Sequence, residues 1–379
     1  MSDLGPNAGL LGHPASRQAL VTPALVLDLD ALEHNLALGA DRARAAGLTL
    51  RPHMKGLKSL AIARRQVALG AAGLCCATLR EVAALRSGGV GDVLLTAPQA
   101  GQAALARLAA LAAEGPGIAV VVDHPASARA LSQAVSAAGA EVRALVEVDV
   151  GQGRTGTRGR AAAVELARLV IDLPGLRYGG VQGYWGHLQH AATLADRRAR
   201  VEVQAADLRA VVRALTDAGL RPPVVTGGGT GTFAIDETLG LLTELQAGSY
   251  AVLDRQYLAV DLSHPDGRSL RPALTVAATV TSANDPGAVI VDAGLKAFST
   301  EAGPPAPADQ SLAAASYRFM GDEHGRLDAP EGVALPSLGT VIEFLPPHCD
   351  PTINLHDRYH VVRGDVLVDV WPVDARGYG

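Results

Sequence analysis

From about residue 22 to residue 250, short apolar runs alternate with longer Ala- and Leu-rich segments carrying Arg and Glu at helical spacing. This alternation limits the possible folds more than any other feature, because it is the pattern of repeated βαβ units and hence of a parallel sheet. Nine runs read as strands: 24–28, 48–52, 73–76, 92–96, 118–123, 144–150, 180–185, 223–226 and 244–250. The helical pattern at 79–89 ends in Gly, and that at 160–175 is stopped by Asp-Leu-Pro-Gly, both helix C-terminal signals. Eight strands close a (β/α)8 barrel, so one of the nine is surplus.

Barrel enzymes often bind phosphate with the loops after strands seven and eight. If 48–52 is the first strand, the seventh runs into Gly227-Gly228-Gly229-Thr230-Gly231-Thr232 and the eighth into Gly248-Ser249-Tyr250. The Thr22-Pro-Ala-Leu-Val-Leu-Asp28 strand then belongs with the carboxy-terminal part. Past residue 255 the chain is β-rich, with turn signals such as Asp-Pro-Gly and Arg-Gly-Asp and no long helical run. The expected fold is therefore α/β: a (β/α)8 TIM-type barrel over 45–255 with a C-terminal β domain over 256–379. Residues 1–44 supply a strand to that β domain, preceded by a loosely held Gly- and Pro-rich arm over 1–21.

With 379 residues the chain is long enough for a large core, and a net charge of −5 without a Lys or Arg block leaves no electrostatic footprint for nucleic acid or anionic membrane. Three cysteines are too few for a disulfide framework. Neither a signal-peptide pattern nor an uncharged apolar stretch of about 18 residues occurs, so a cytoplasmic protein is expected.

The candidate chemistry lies at strand ends. Lys55, in Arg51-Pro-His-Met-Lys55, follows the first barrel strand; there it is either a desolvated Schiff-base lysine or a solvated loop lysine. The Gly227–Thr232 run offers unobstructed N–H groups for a phosphate, or is simply a turn. Together, a Schiff-base lysine at one strand end and a phosphate nest at the opposite strand ends are the two anchors of pyridoxal phosphate. In Pro347-His348-Cys349-Asp350-Pro351, residues two apart on an extended segment face the same way, so His348 and Asp350 can grip one cation. Such an N,O pair suits Mg²⁺ or Mn²⁺ better than a closed Zn²⁺ site; the alternative is a polar turn. His187 and His190 close the sixth barrel strand as candidate acid–base groups or as loop hydrogen-bonding residues. Arg154 can place a charge near a ring nitrogen, or form an ion pair. Tyr184, Trp185 and Tyr257 fall at the predicted cofactor mouth in a chain with only four Phe, two Trp and seven Tyr.

These residues resemble a known family. Arg51-Pro-His-Met-Lys55, Val146-Glu-Val-Asp-Val-Gly-Gln-Gly-Arg154-Thr-Gly, Thr226-Gly-Gly-Gly-Thr230-Gly, Leu245-Gln-Ala-Gly-Ser249-Tyr, Asp292-Ala-Gly-Leu-Lys296 and His348-Cys-Asp350-Pro-Thr are similar to motifs of the D-threonine aldolase group. That group includes 3-hydroxy-D-aspartate aldolases and D-serine dehydratases, and has the alanine racemase-like fold, type III among pyridoxal phosphate folds. The resemblance implies a homodimer, Lys55 as Schiff-base lysine, and Thr230, Gly248 and Ser249 as phosphate ligands. It places Tyr257 and Thr78 among cofactor contacts and maps a metal pair onto His348 and Asp350. Where the family commonly carries a His two or three residues after the lysine, this chain has Gly56-Leu57. The implied activity is metal-dependent cleavage of D-β-hydroxy-α-amino acids to glycine and an aldehyde, with His187 as base. The alternative is a D-serine or 3-hydroxyaspartate dehydratase giving an α-keto acid and ammonia; those relatives pair His with Cys, so Asp350 favours the aldolase.

Overall fold

The computed structural model describes residues 4–377; residues 1–3 and 378–379, at the ends of the expected arm and β domain, lie outside the described residues. The chain starts with β1 (Ala24–Asp28), where Asp28 caps α1 (Leu29–Ala45) by accepting the Ala31 N–H. Strands and helices then alternate as β2 (Thr49–Leu50), α2 (Leu60–Ala68), β3 (Leu74–Cys76), α3 (Leu79–Ser87), β4 (Val93–Leu95), α4 (Gln102–Ala113), β5 (Ile118–Val122), α5 (Pro125–Ala137), β6 (Val142–Val148) and α6 (Arg160–Asp172). They continue as β7 (Leu176–Gly183), α7 (Leu194–Asp217), β8 (Val225–Gly227), α8 (Phe233–Asp236), β9 (Glu244–Leu245) and α9 (Arg255–Leu258).

Strands β2 to β9 form one parallel eight-stranded sheet in the order β2-β9-β8-β7-β6-β5-β4-β3. The sheet closes on itself: Ala72 N–H donates to Leu50 O at 3.0 Å and Cys75 N–H to Pro52 O at 2.8 Å, with His53 and Cys75 bridged in parallel. The expected barrel is present, but its eighth strand stops at Leu245, short of the expected 250, and Ser249–Ala251 winds into a 3-10 turn. Inward-facing Cys75, Leu94, Ala119, Val121 and Leu145 make a small apolar cluster separate from the main core, as residues of one parity on barrel strands should.

The second sheet holds β10 (Leu274–Asp285), β11 (Ala288–Val291), β12 (Ala306–Pro307), β13 (Ser316–Phe319), β14 (Gly325–Asp328), β15 (Val341–Leu345), β16 (Arg358–Arg363) and β17 (Val366–Pro372). A short helix, α10 (Cys349–Ile353), follows β15. Strand β1 pairs antiparallel with β10 and parallel with β16, so the amino-terminal strand belongs to this sheet. Strands β12, β13 and β14, two to four residues long, are not among the expected elements.

The described part of the expected loose arm is instead docked. Arg17 grips Glu343 with two guanidinium nitrogens (2.5 and 2.8 Å), Gly12 N–H donates to Leu367 O, and Asn7 is buried against His360. Polar pairing and the packing of Leu4, Leu10, Leu11 and Leu20 against Val26, Val362 and Leu367 hold it, contacts with distant strands that local periodicity does not report. Among the described residues no helix is long and apolar enough to cross a membrane.

Glu147, inside β6, is 4% exposed; its Oε1 accepts from Thr155 Oγ1 and Gln182 Nε2, while Oε2 is buried without a partner among the described residues. Burial raises its carboxyl from an ordinary 4.5 to about 7 against the Thr155 hydrogen bond. Between these values the folded chain keeps a proton that the unfolded chain releases, so stability falls as pH rises through that window. Glu147→Gln removes this slope: its stability relative to the parent, measured by urea denaturation, is expected to gain on the order of 2–3 kcal/mol between pH 4 and pH 8.

Candidate active site

Arg51, 5% exposed, is anchored in the barrel by Glu244 (2.8 Å) and Asp92 (2.7 Å). Beyond it Pro52 ends the ladder, and His53 caps a 3-10 turn, Met54–Gly56, its Nδ1 accepting the Lys55 N–H at 3.3 Å. Lys55 thereby leaves the barrel at its C-terminal mouth. There its Nζ lies 2.5 Å from Asp350 Oδ2, joining the barrel to a motif 295 residues away. A Cβ on Gly56 would lie 2.5 Å from Asp350 Oδ1, so glycine at this position makes room for the carboxylate.

Asp350 is positioned through a second carboxylate. Asp254, fully buried, accepts the Tyr257 N–H at 3.0 Å, capping α9, and the Cys349 N–H at 2.8 Å, fixing the start of α10. His348 Nε2 stands 4.0 Å from Asp350 Oδ1, and its Nδ1 lies 2.7 Å from Glu301 Oε1. The Asp350 charge holds the Lys55 ammonium well above the usual lysine range, against burial. Burial opposes the Asp350 charge, yet Lys55 and His348 keep that carboxyl below the ordinary carboxylate range. His53 is pushed down to about 3 by burial and by Lys55, and so is neutral. Cys349 is buried, burial pushes its thiol up, and its Sγ lies 3.3 Å from Asp350 Oδ1.

On the opposite wall, Thr230 Oγ1 accepts the Tyr250 N–H at 2.9 Å, linking the loops after β8 and β9. The N–H groups of Thr230 and Ser249 make no hydrogen bond among the described residues. A cavity of about 350 Å³ separates this wall from Lys55. It is lined by Lys55, Arg154 and Tyr184 from the barrel loops, by Thr230, Gly248 and Ser249, and by Tyr257 and Asp350. The Arg154 guanidinium sits 5.7 Å from the Tyr184 ring centroid, a cation–π distance.

Two expectations are corrected. Thr78 does not line the cavity; its hydroxyl caps α3 by accepting the Glu81 N–H. His187 is exposed on a 3-10 turn and also lies off the cavity wall. His190 is likewise exposed and off the wall, but its ring lies tilted against the cavity-lining Tyr257 with centroids 4.6 Å apart, and desolvation lowers its pKa against the pull of Asp254. The Asp292–Lys296 motif is likewise away from the cavity: Asp292 accepts from Thr279 N–H and Thr22 Oγ1, tying β10 to the turn before β1. Sequence reading missed Asp254, Gln182 and Thr96; the capping position of Asp254 before α9 was the one available signal.

The donor set fits both expected groups. Lys55 offers an amine across a cavity from two N–H groups left open by glycine-bearing loops, matching the two ends of pyridoxal phosphate. His348 and Asp350 offer one nitrogen and one oxygen that a single ion can touch together, with Glu301 orienting the imidazole as an outer-shell carboxylate does. Among the described residues no group of three or more His, Cys, Asp or Glu side chains that could hold an ion occurs.

Residues 27–256 match the family model "Alanine racemase, N-terminal domain", and residues 273–362 match "Putative serine dehydratase domain". The chain is 42% identical to a D-threonine aldolase of Arthrobacter sp. over 97% of this chain and 95% of that protein. It is 38% identical to a 3-hydroxy-D-aspartate aldolase of Paracoccus denitrificans (strain Pd 1222), over 94% and 92% respectively. The crystal structure of D-threonine aldolase from Filomicrobium marinum superposes with a TM-score of 0.92 at 40% identity, covering 96% of this chain and 97% of that one. Dehydratases match at lower identity. With a family model over 27–256 and relatives 42% and 38% identical over nearly the whole chain, the chain belongs to the D-threonine aldolase group of the alanine racemase-fold family.

Proposed function

We propose that the protein is a pyridoxal phosphate- and divalent metal-dependent lyase that cleaves D-β-hydroxy-α-amino acids of the D-threonine kind to glycine and an aldehyde. The observation that carries this reading is the meeting of Lys55 Nζ and Asp350 Oδ2 at 2.5 Å, with His348 beside them. When bound, the cofactor supplies an electron sink for charge at Cα and the ion a Lewis acid for the β-oxygen.

The chain's residues divide the remaining work. The barrel, 45–255, carries the cofactor half of the site: Lys55, the Thr230/Gly248/Ser249 wall, and Arg154, which sets a fixed positive charge over Tyr184. The β domain, 256–379, joined by the strand from 1–44, brings the metal half, His348 and Asp350. Neutral His53 backs the Lys55 turn without adding a second cation to it. Tyr257 walls the cavity and lies against His190, which we place as the base that takes the proton from the substrate β-hydroxyl. Desolvation favours the neutral imidazole this role needs. The imidazole–carboxylate pair favours Mn²⁺ or Mg²⁺ over Zn²⁺. We read the enzyme as a cytoplasmic homodimer.

Purified protein given D-threonine should release glycine and acetaldehyde in equal amounts, and a chelator should stop both; ammonia with an α-keto acid would instead indicate a dehydratase. Lys55→Ala should reduce this turnover to background even at saturating cofactor. His190→Gln should lower kcat by about 10²–10⁴-fold, whereas His187→Gln should stay close to the parent in the same steady-state assay; the reverse ranking would reassign the base.

A further inference from the structure

We infer that Asp236 is a positioning residue for the cofactor's phosphate, holding the Gly228–Thr232 loop so that Thr230 presents its N–H to the cavity. This rests on the cofactor reading above. Asp236 is 1% exposed on α8 and does not itself line the cavity, but it holds Gly229, which does. Its Oδ1 accepts the Trp185 indole N–H at 3.1 Å; its Oδ2 accepts the Gly229 N–H at 3.2 Å and the Thr232 hydroxyl at 2.6 Å. Three donors thus converge on two oxygens, a demand that a carboxylate meets and an amide, with donors of its own, does not.

The loop wraps directly onto this carboxylate. Gly228 has φ of +71°, and a Cβ there would collide with Asp236 Oδ2. A second clamp comes from Gln189, whose Oε1 accepts the Gly231 N–H at 2.9 Å and whose Nε2 donates to Thr232 Oγ1 at 3.1 Å. The N–H groups of Gly229 and Gly231 are therefore turned into the protein and satisfied there. Thr230, between them, lines the cavity with its N–H open. Holding the flanking amides inward is what leaves the middle one available for an anion. Trp185 and Gln189 come from the segment that also carries Tyr184 and His190, so the phosphate wall and the proposed base share one support.

The test compares pyridoxal phosphate with pyridoxal, which lacks the phosphate, using full-length protein stripped of cofactor and equilibrium dialysis. Asp236→Asn should weaken pyridoxal phosphate binding by about tenfold or more while pyridoxal changes by less than about twofold. Thr232→Val should show the same selective loss and Thr232→Ser should restore binding, which keeps the test open if Asp236→Asn does not fold. Equal weakening of both ligands would mean a general structural role and would overturn the inference. Unchanged pyridoxal phosphate affinity in the variants would overturn it alone, whereas parent protein that binds neither ligand would overturn the cofactor reading along with it.

Discussion

The seam between β2 and β3 is the constraint on which the rest of the molecule depends. Two hydrogen bonds, Ala72 N–H to Leu50 O and Cys75 N–H to Pro52 O, turn an eight-stranded sheet with two open edges into a closed barrel. Gly73 permits the approach: its φ is +134°, and any Cβ would strike Asp92 O. Just below the seam Arg51 is buried between Glu244 and Asp92, and a cation so enclosed is tolerable only when paired. Just above it, the same strand releases Lys55. Closure therefore decides both that all strand ends share one mouth and that the lysine stands on its rim.

A second constraint is the docking of the β domain onto that mouth. Asp254 joins α9 to α10, the Tyr359 hydroxyl donates to Leu57 O at 2.5 Å, and Ala375 N–H donates to Lys58 O at 3.1 Å. Lys58, with φ of +50°, forms a buried ion pair with Glu81 at 2.8 Å. These contacts immobilise the segment around Lys55 on three sides. Preorganised charges in a partly desolvated cavity act more strongly than the same charges in water, so the rigidity of the support is part of the chemistry.

Much of the barrel was legible because alternation and period are properties of neighbouring residues. Strands β3 to β6 begin or end within two residues of the expected runs, and β1 joins the second sheet as the strand count required. The glycine run and the lysine motif also declared themselves, each following a recognisable strand. Strand β9 was read too long because Ser249–Ala251 is as apolar as a strand yet turns to meet Thr230. Strands β12 to β14 escaped because they are only two to four residues long, too short for the alternation in β13 and β14 to stand out from the turns around them.

The sequence by itself determined the βαβ alternation, the barrel's strand order and which motifs fall at strand ends, since these follow from local hydrophobic spacing and turn chemistry. It could not decide which of those motif residues meet. Thr78 looked like a cofactor contact and is a helix cap; His187 and His190, three residues apart, differ in that only His190 lies against Tyr257. The pairing of Lys55 with Asp350, the inward turn of the Gly229 and Gly231 amides and the cradle at Asp254 belong to tertiary structure alone. The reason is physical: side-chain contacts between residues hundreds of positions apart depend on barrel closure and domain docking, to which local periodicity is blind.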